Sequence, residues 1–367
     1  MLERIFVDNV QCFVNFEWKP GKLALLLGEN GSGKTSLGRV LWSVRSLVAD
    51  EEDVRNCFPS TSRTRWDQRL EQRIELDVRL QGDLYSYELV VEQHPDWPDH
   101  AQLKRETLRV AGALLMSFED GALRLHDDDG RTGGAAFLTH QIRSGLGFVA
   151  ESRSHKRLTA FKRWLIEDVW LFRPDPRAII GRTDEPTRKL EPNLRNFATW
   201  YTTAITQDLD VAFQVREALT QVLPGIETLG VDKQRPHLQV RFKAGPRASY
   251  ALDFGELSDG QRALIALYVL RHVVVKPGRL VIFDEPDNYV ALREIQPWLM
   301  EVIDAALTSG GPQVWFVSHH PELLNRLAPS YGTRFFRHEE GPVRIEPFKG
   351  SPGLSAAEAV AREWTGE

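Results

Sequence analysis

KLALLLGENGSGKTSLGRVLWSV, running from Lys22 to Val44, carries three elements in a fixed order. Leu23–Leu27 is an apolar run of strand length, residues 28–33 are rich in glycine, and a helical pattern continues from Thr35. Gly28-Glu29-Asn30-Gly31-Ser32-Gly33-Lys34-Thr35 fills G-x-x-x-x-G-K-[ST] between that strand and that helix, the context the motif requires. Its glycines let the backbone wrap a phosphate chain, so that consecutive N–H groups become donors. Lys34 then brings a point charge to the β- and γ-phosphates, Thr35 a hydroxyl to Mg²⁺, and Ser36 completes the group expected around ATP. The expectation is an α/β nucleotide-binding fold.

Two acidic or polar strand ends lie far downstream. LVIFDEP, Leu280–Pro286, places Asp284 and Glu285 at the end of a buried strand. In an open α/β sheet, ligands gather beyond the carboxyl ends of the strands. Asp284 has the chemistry to hold Mg²⁺, and Glu285 to accept a proton from an attacking water. WFVSHHP puts His319 and His320 after a third apolar strand. Neighbouring side chains on a strand point to opposite faces, which argues against a shared metal. One histidine, assigned as His319, is expected to face the γ-phosphate while the other is solvated. Glu285, His319 and Lys34 form the expected catalytic group.

FGELSDGQRALIAL, Phe254–Leu267, passes from a glycine-bearing turn into an apolar run. Ser258 followed three residues later by Gln261 is a capping box, so a helix starts here with free N–H groups turned outward. Such a helix start suits an anion. An ordinary N-capped core helix fits the same residues, and both readings stay open on the stretch alone.

The chain has 367 residues and a net charge of −5, enough length for one or two cores and no global pull toward nucleic acid. No apolar run approaches the roughly 20 residues of a transmembrane helix. Cys12 and Cys57 lack CxxC spacing, which fits a reducing cytoplasm and argues against cysteine-held zinc. MLERIFVDNVQCF begins the chain as a strand rather than a signal peptide. Between Ile74 and Leu125, short alternating runs separated by Gly, Asp and Pro predict an antiparallel meander. Gly147–Arg153 is expected as one more strand, 154–225 as helical, and HLQVRFKA as a strand. Arg153–Arg195 carries an excess of Lys and Arg with interleaved aromatics, which fits either a phosphate-backbone patch or a solvated helix face.

The order of phosphate loop, LSDGQ, strand with Asp-Glu and strand with His resembles the ATP-binding cassette ATPases. GENGSGKT, DEPDN and SHHPELLN bring it closest to the RecF/SMC-like branch and its compact bacterial "predicted ATPase" relatives. The resemblance covers about 1–45 and 250–330. It implies a P-loop NTPase of α/β class, an ABC-ATPase head with an antiparallel β-subdomain and an inserted helical lobe. The implied parts are 1–153 and 251–350 as the two halves of the nucleotide-binding lobe, 154–250 as the helical insertion, and 351–367 as a tail. The family also implies an ATP-dependent homodimer in which Ser258, Gly260 and Gln261 cap the γ-phosphate bound by the partner. ATP and Mg²⁺ are the implied cofactors, and a DNA-repair or anti-phage partner, protein or DNA, the implied target.

Departures from the family pattern are Gln11, where relatives often carry arginine, and the absence of an evident glutamine linking nucleotide to the helical lobe. Gln141 is one candidate for that link, and for a metal contact, and the loop AESR around Arg153 is another. About a hundred residues between Arg153 and Asp253 are too few for a long coiled-coil arm, since thirty helical residues reach only about 45 Å. Fewer than fifty follow His319, so a bare head is expected. The nucleotide-binding subunit of a membrane transporter is the second reading, against which stand the meander and the RecF-like motif variants.

Overall fold

The computed structural model describes all residues except 50–51, 98–99, 129–136, 139, 233, 246–247, 340 and 366–367. The chain forms two compact units, one of Met1–Val169 with Leu324–Glu367 and one of Trp170–Leu323.

In the first unit the expected meander is an antiparallel sheet. Among the described residues its strands run in the order Phe16–Trp18, Leu2–Asp8, Glu71–Leu80, Asp83–Glu92, Gln102–Val110, Ala113–Glu119, Ala122–Leu125 and Phe137–Leu138. Alternation fixes the inner face: Ile74, Leu76 and Val78 are fully buried while their neighbours face outward. Gln81-Gly82, Ala111-Gly112 and Asp120-Gly121 all have positive φ, the twist that tight hairpins need. Leu23–Leu27 is the expected strand, buried throughout, and pairs in parallel with Gly332–Arg337, which turns back onto Val343–Pro347. The helix Lys34–Ala49 follows, burying Leu37, Val40, Leu41, Val44 and Leu47.

The expected strand at Gly147–Arg153 is absent. A short helical turn, Gly145–Phe148, takes the start of that segment, and the remainder is irregular. Side chains claim its backbone instead of a ladder. Ser144 accepts from the Gly147 N–H, the buried Glu106 carboxylate from Gly145 and Leu146, and the Lys162 ammonium binds the carbonyls of Gly147 and Val149.

In the second unit the strands Leu280–Asp284 and Gln313–Val317 pair in parallel, with Val169–Phe172 beside the former. That last strand interrupts the segment expected to be helical; true helices there are Lys156–Arg163, Phe197–Gln207 and Leu209–Val222. A second, three-stranded antiparallel sheet joins Ile226–Val231, Leu238–Lys243 and Ser249–Asp253. The helix Asp259–Val273 is buried on all sides from Ala263 to Leu270, the pattern of a central helix. Trp298, on Leu292–Leu307, locks onto it by donating its indole N–H to the Leu267 carbonyl at 2.7 Å. Among the described residues no helix is long and apolar enough to cross a membrane.

Candidate functional site

The glycine-rich loop of the first unit is shaped by what it cannot accommodate. A β-carbon at Gly28 would stand 2.0 Å from the Phe335 carbonyl oxygen, so only glycine lets the loop leave the strand here. At Gly33 a β-carbon would meet Val343 at 2.9 Å and the Cys12 sulfur at 3.1 Å. Ser36 hydrogen-bonds that thiol, which burial pushes up in pKa. Lys34 is only 6% exposed. Its ammonium donates to the carbonyls of Gly28 at 2.7 Å and Glu29 at 2.9 Å, and lies 3.5 Å from the Ser32 hydroxyl. Glu29, Asn30 and Gly31 are exposed, and Thr35 is half-buried in the first turn of the helix.

A cavity of about 690 Å³ opens beside this loop, within the usual size of small-molecule sites. Glu29–Ser32 form one wall, and Arg334, Phe336, Arg337 and His338 stand on another. Sequence reasoning missed this second wall; the paired phenylalanines flanked by arginines in TRFFR, on the Gly332–Arg337 strand, were its available signal. Gln141 lines a different cavity, with Arg55, Gln93, Trp97 and His100, which shares no residue with the first.

The second unit holds the remaining groups. Asp284 closes its strand with a carboxylate 2% exposed, and Arg173 Nε lies 3.9 Å from it. Glu285 adopts left-handed backbone, φ 52°, while its N–H is held by the Val317 carbonyl at 2.7 Å. Its carboxylate accepts from Asn288 at 3.0 Å. A non-glycine residue kept in that conformation costs of order 1–3 kcal/mol and persists only where surrounding bonds impose it. Beyond Gln313–Val317, the Ser318 hydroxyl donates to Asp287 at 2.8 Å. His320 accepts the Glu322 N–H at 3.3 Å through Nδ1, capping the helix Pro321–Tyr331, so this histidine has a structural task. His319 is half-buried.

The capping box at the start of Asp259–Val273 is formed as expected. Ser258 Oγ accepts from Gln261 N–H at 3.2 Å, and Gln261 Oε1 from Ser258 N–H at 3.1 Å. Ser258 is exposed. Arg177, 70% exposed, donates to Asp259 at 2.9 Å and stacks 5.4 Å from the Tyr289 ring centre. Its guanidinium holds the Asp259 carboxyl below the usual range, so this helix start presents a neutralised acid.

Residues 23–325 match the family described as "AAA domain, putative AbiEii toxin, Type IV TA system". The chain belongs to this family. It is an AAA domain. Among solved structures it is similar to an SMC head bound to the C-winged helix domain of ScpA, with a TM-score of 0.53 and 12% identity over 94% of this chain and 98% of that one. An SMC head domain from Thermotoga maritima aligns with a TM-score of 0.45 and 11% identity over 95% and 99%. The first of these shows the fold, a P-loop NTPase of the SMC-head type. No curated protein matches the chain.

Proposed function

We infer that the AAA domain binds ATP with Mg²⁺, hydrolyses it, and uses the cycle to switch a separate protein. The glycine-rich loop carries this reading: Lys34 is buried against the loop's own carbonyls, and Gly28 leaves no room for a side chain. In this reading the backbone of 28–36 receives the triphosphate, and Lys34 exchanges carbonyl oxygens for phosphate oxygens. Thr35 and Asp284 offer hard oxygen donors, the set that suits Mg²⁺. Among the described residues no cluster of three or more His, Cys, Asp or Glu could cage a metal. An ion shared with phosphate oxygens does not call for one. When bound, the metal neutralises charge on the phosphates.

Glu285 takes the proton of the attacking water, and His319 donates to the γ-phosphate. Ser258, Gly260 and Gln261 cap the γ-phosphate of a second copy, so that ATP closes a head-to-tail homodimer. Residues 1–153 and 251–350 make the nucleotide lobe in this account, 154–250 the lobe that passes the change on, and 351–367 a tail. Gln141 is given no part, because its cavity is separate from the one beside the loop.

The family description names a toxin of a type IV toxin–antitoxin system, which favours a defence role over DNA repair. The similar SMC head carries a ScpA domain, and a separately encoded protein is the partner proposed here too. The basic stretch Arg153–Arg195 leaves DNA as a second target. Two cysteines without CxxC spacing, Cys12 and Cys57, suit a reducing cytoplasm. Light scattering of Glu285→Gln with ATP and Mg²⁺ tests the cycle. A nucleotide-bound dimer is expected, and a chain that neither binds ATP nor dimerises overturns the reading.

A further inference from the structure

Asp284 and Arg173 occupy matched positions on neighbouring strands. Asp284 follows the buried Phe283 at the end of Leu280–Asp284, and Arg173 follows the buried Phe172 at the end of Val169–Phe172. The two phenylalanine rings pack with centroids 5.8 Å apart, which fixes the strand ends side by side. Arg173 N–H is pinned to the Pro192 carbonyl at 2.7 Å, so its backbone is anchored. The guanidinium is 51% exposed and its nearest approach to the buried carboxylate is 3.9 Å, longer than a hydrogen bond. It is a counter-ion held close, not a clamp.

We propose that Arg173 is a counter-ion switch for Asp284, admitting the divalent cation only together with its nucleotide. The inference rests on Asp284 being the metal ligand. A carboxylate this buried needs a neighbouring cation, and Arg173 supplies one before any nucleotide arrives. A bare divalent ion entering at Asp284 meets the guanidinium already there, and the two cations repel. A triphosphate removes the conflict, because its oxygens give the guanidinium a new anionic partner. Half-exposed and held to Asp284 by an ion pair longer than a hydrogen bond, the Arg173 side chain can turn from carboxylate to phosphate. Arginine's planar fork suits that exchange better than a neutral amide would.

The test uses the full chain and two separate binding measurements. Mn²⁺ alone is titrated by electron paramagnetic resonance, and a fluorescent ATP analogue with Mg²⁺ by anisotropy. Arg173→Gln is expected to bind nucleotide-free Mn²⁺ about tenfold more tightly and the ATP analogue about tenfold more weakly, the size of one partly screened charge. Arg173→Lys should fall between the two chains in both assays. Opposite movement of the two affinities is the signature, since a merely structural role would move them together. Unchanged Mn²⁺ affinity in Arg173→Gln, or a parallel fall of both affinities, overturns the switch. Asp284→Asn separates the underlying assignment: if nucleotide-dependent Mn²⁺ binding survives that change, Asp284 is not the metal ligand and the switch falls with it.

Discussion

The carbonyl oxygen of Tyr289 lies 3.0 Å from where a β-carbon on Gly260 would stand. The loop after Glu285 is thus seated directly on the first turn of the Asp259–Val273 helix. Gly260→Ala must push that loop away by a few tenths of an ångström. Overpacking of this kind costs about 1–3 kcal/mol. A urea midpoint unchanged from wild type would show that the loop gives way freely and that the contact does not position Glu285.

Ser258 separates the two readings of the capped helix. If it caps a phosphate in trans, Ser258→Arg leaves ATP binding by the monomer nearly intact and blocks ATP-dependent dimerisation. A helix cap alone predicts a loss of about 0.5–2 kcal/mol and no selective effect on assembly. Mixing Ser258→Arg with Lys34→Ala chains creates one composite site that is wild type throughout. Partial recovery of ATPase activity is expected; a mixture as inert as its parts argues against sharing.

Lys34→Ala is expected to lower ATP affinity by at least about 100-fold, since charged hydrogen bonds to two phosphates go at once. The structure adds a second effect. Lys34 also ties together the carbonyls of Gly28 and Glu29, so the empty loop should loosen. Faster amide hydrogen exchange across 28–33 in the nucleotide-free variant is the readout. Protection equal to wild type would confine the lysine's role to the ligand.

His272 is expected to contribute to the loss of stability between about pH 7 and about pH 5. Burial lowers its pKa from 6.5 to about 4, with Arg271 and Lys276 adding to the shift. Between those values the unfolded chain binds a proton that the folded chain refuses, so stability is intact above 6.5 and is lost as pH falls toward 4. His272→Gln should therefore lose less of its urea midpoint than wild type between about pH 7 and about pH 5. Equal losses in the two chains would assign the acid sensitivity to other groups.

The features legible in the sequence are those whose cause is local. Leu23–Leu27 and the loop after it follow from an apolar run and glycine spacing, and the Ser258–Gln261 box from residues three apart. The meander was legible because its strands alternate and its turns carry glycine. Val169–Phe172 was not. Four apolar residues have no period that separates strand from helix, and the flanking pattern is helical. Missing that strand also hid Arg173, whose relation to Asp284 exists only once two strands lie side by side. The strand expected at Gly147–Arg153 failed for a different reason. Glu106, from a distant strand, and Lys162, from the helix that follows, supply the partners its backbone would have sought in a sheet.

The left-handed backbone of Glu285 sets stability against turnover at a single position. Glycine adopts that conformation without strain, so Glu285→Gly should resist heat better than wild type while losing the proposed base. Screens for thermostable variants and screens for ATPase activity would then enrich different residues at 285. A protein engineered for robustness alone would drift toward a sturdier, silent head.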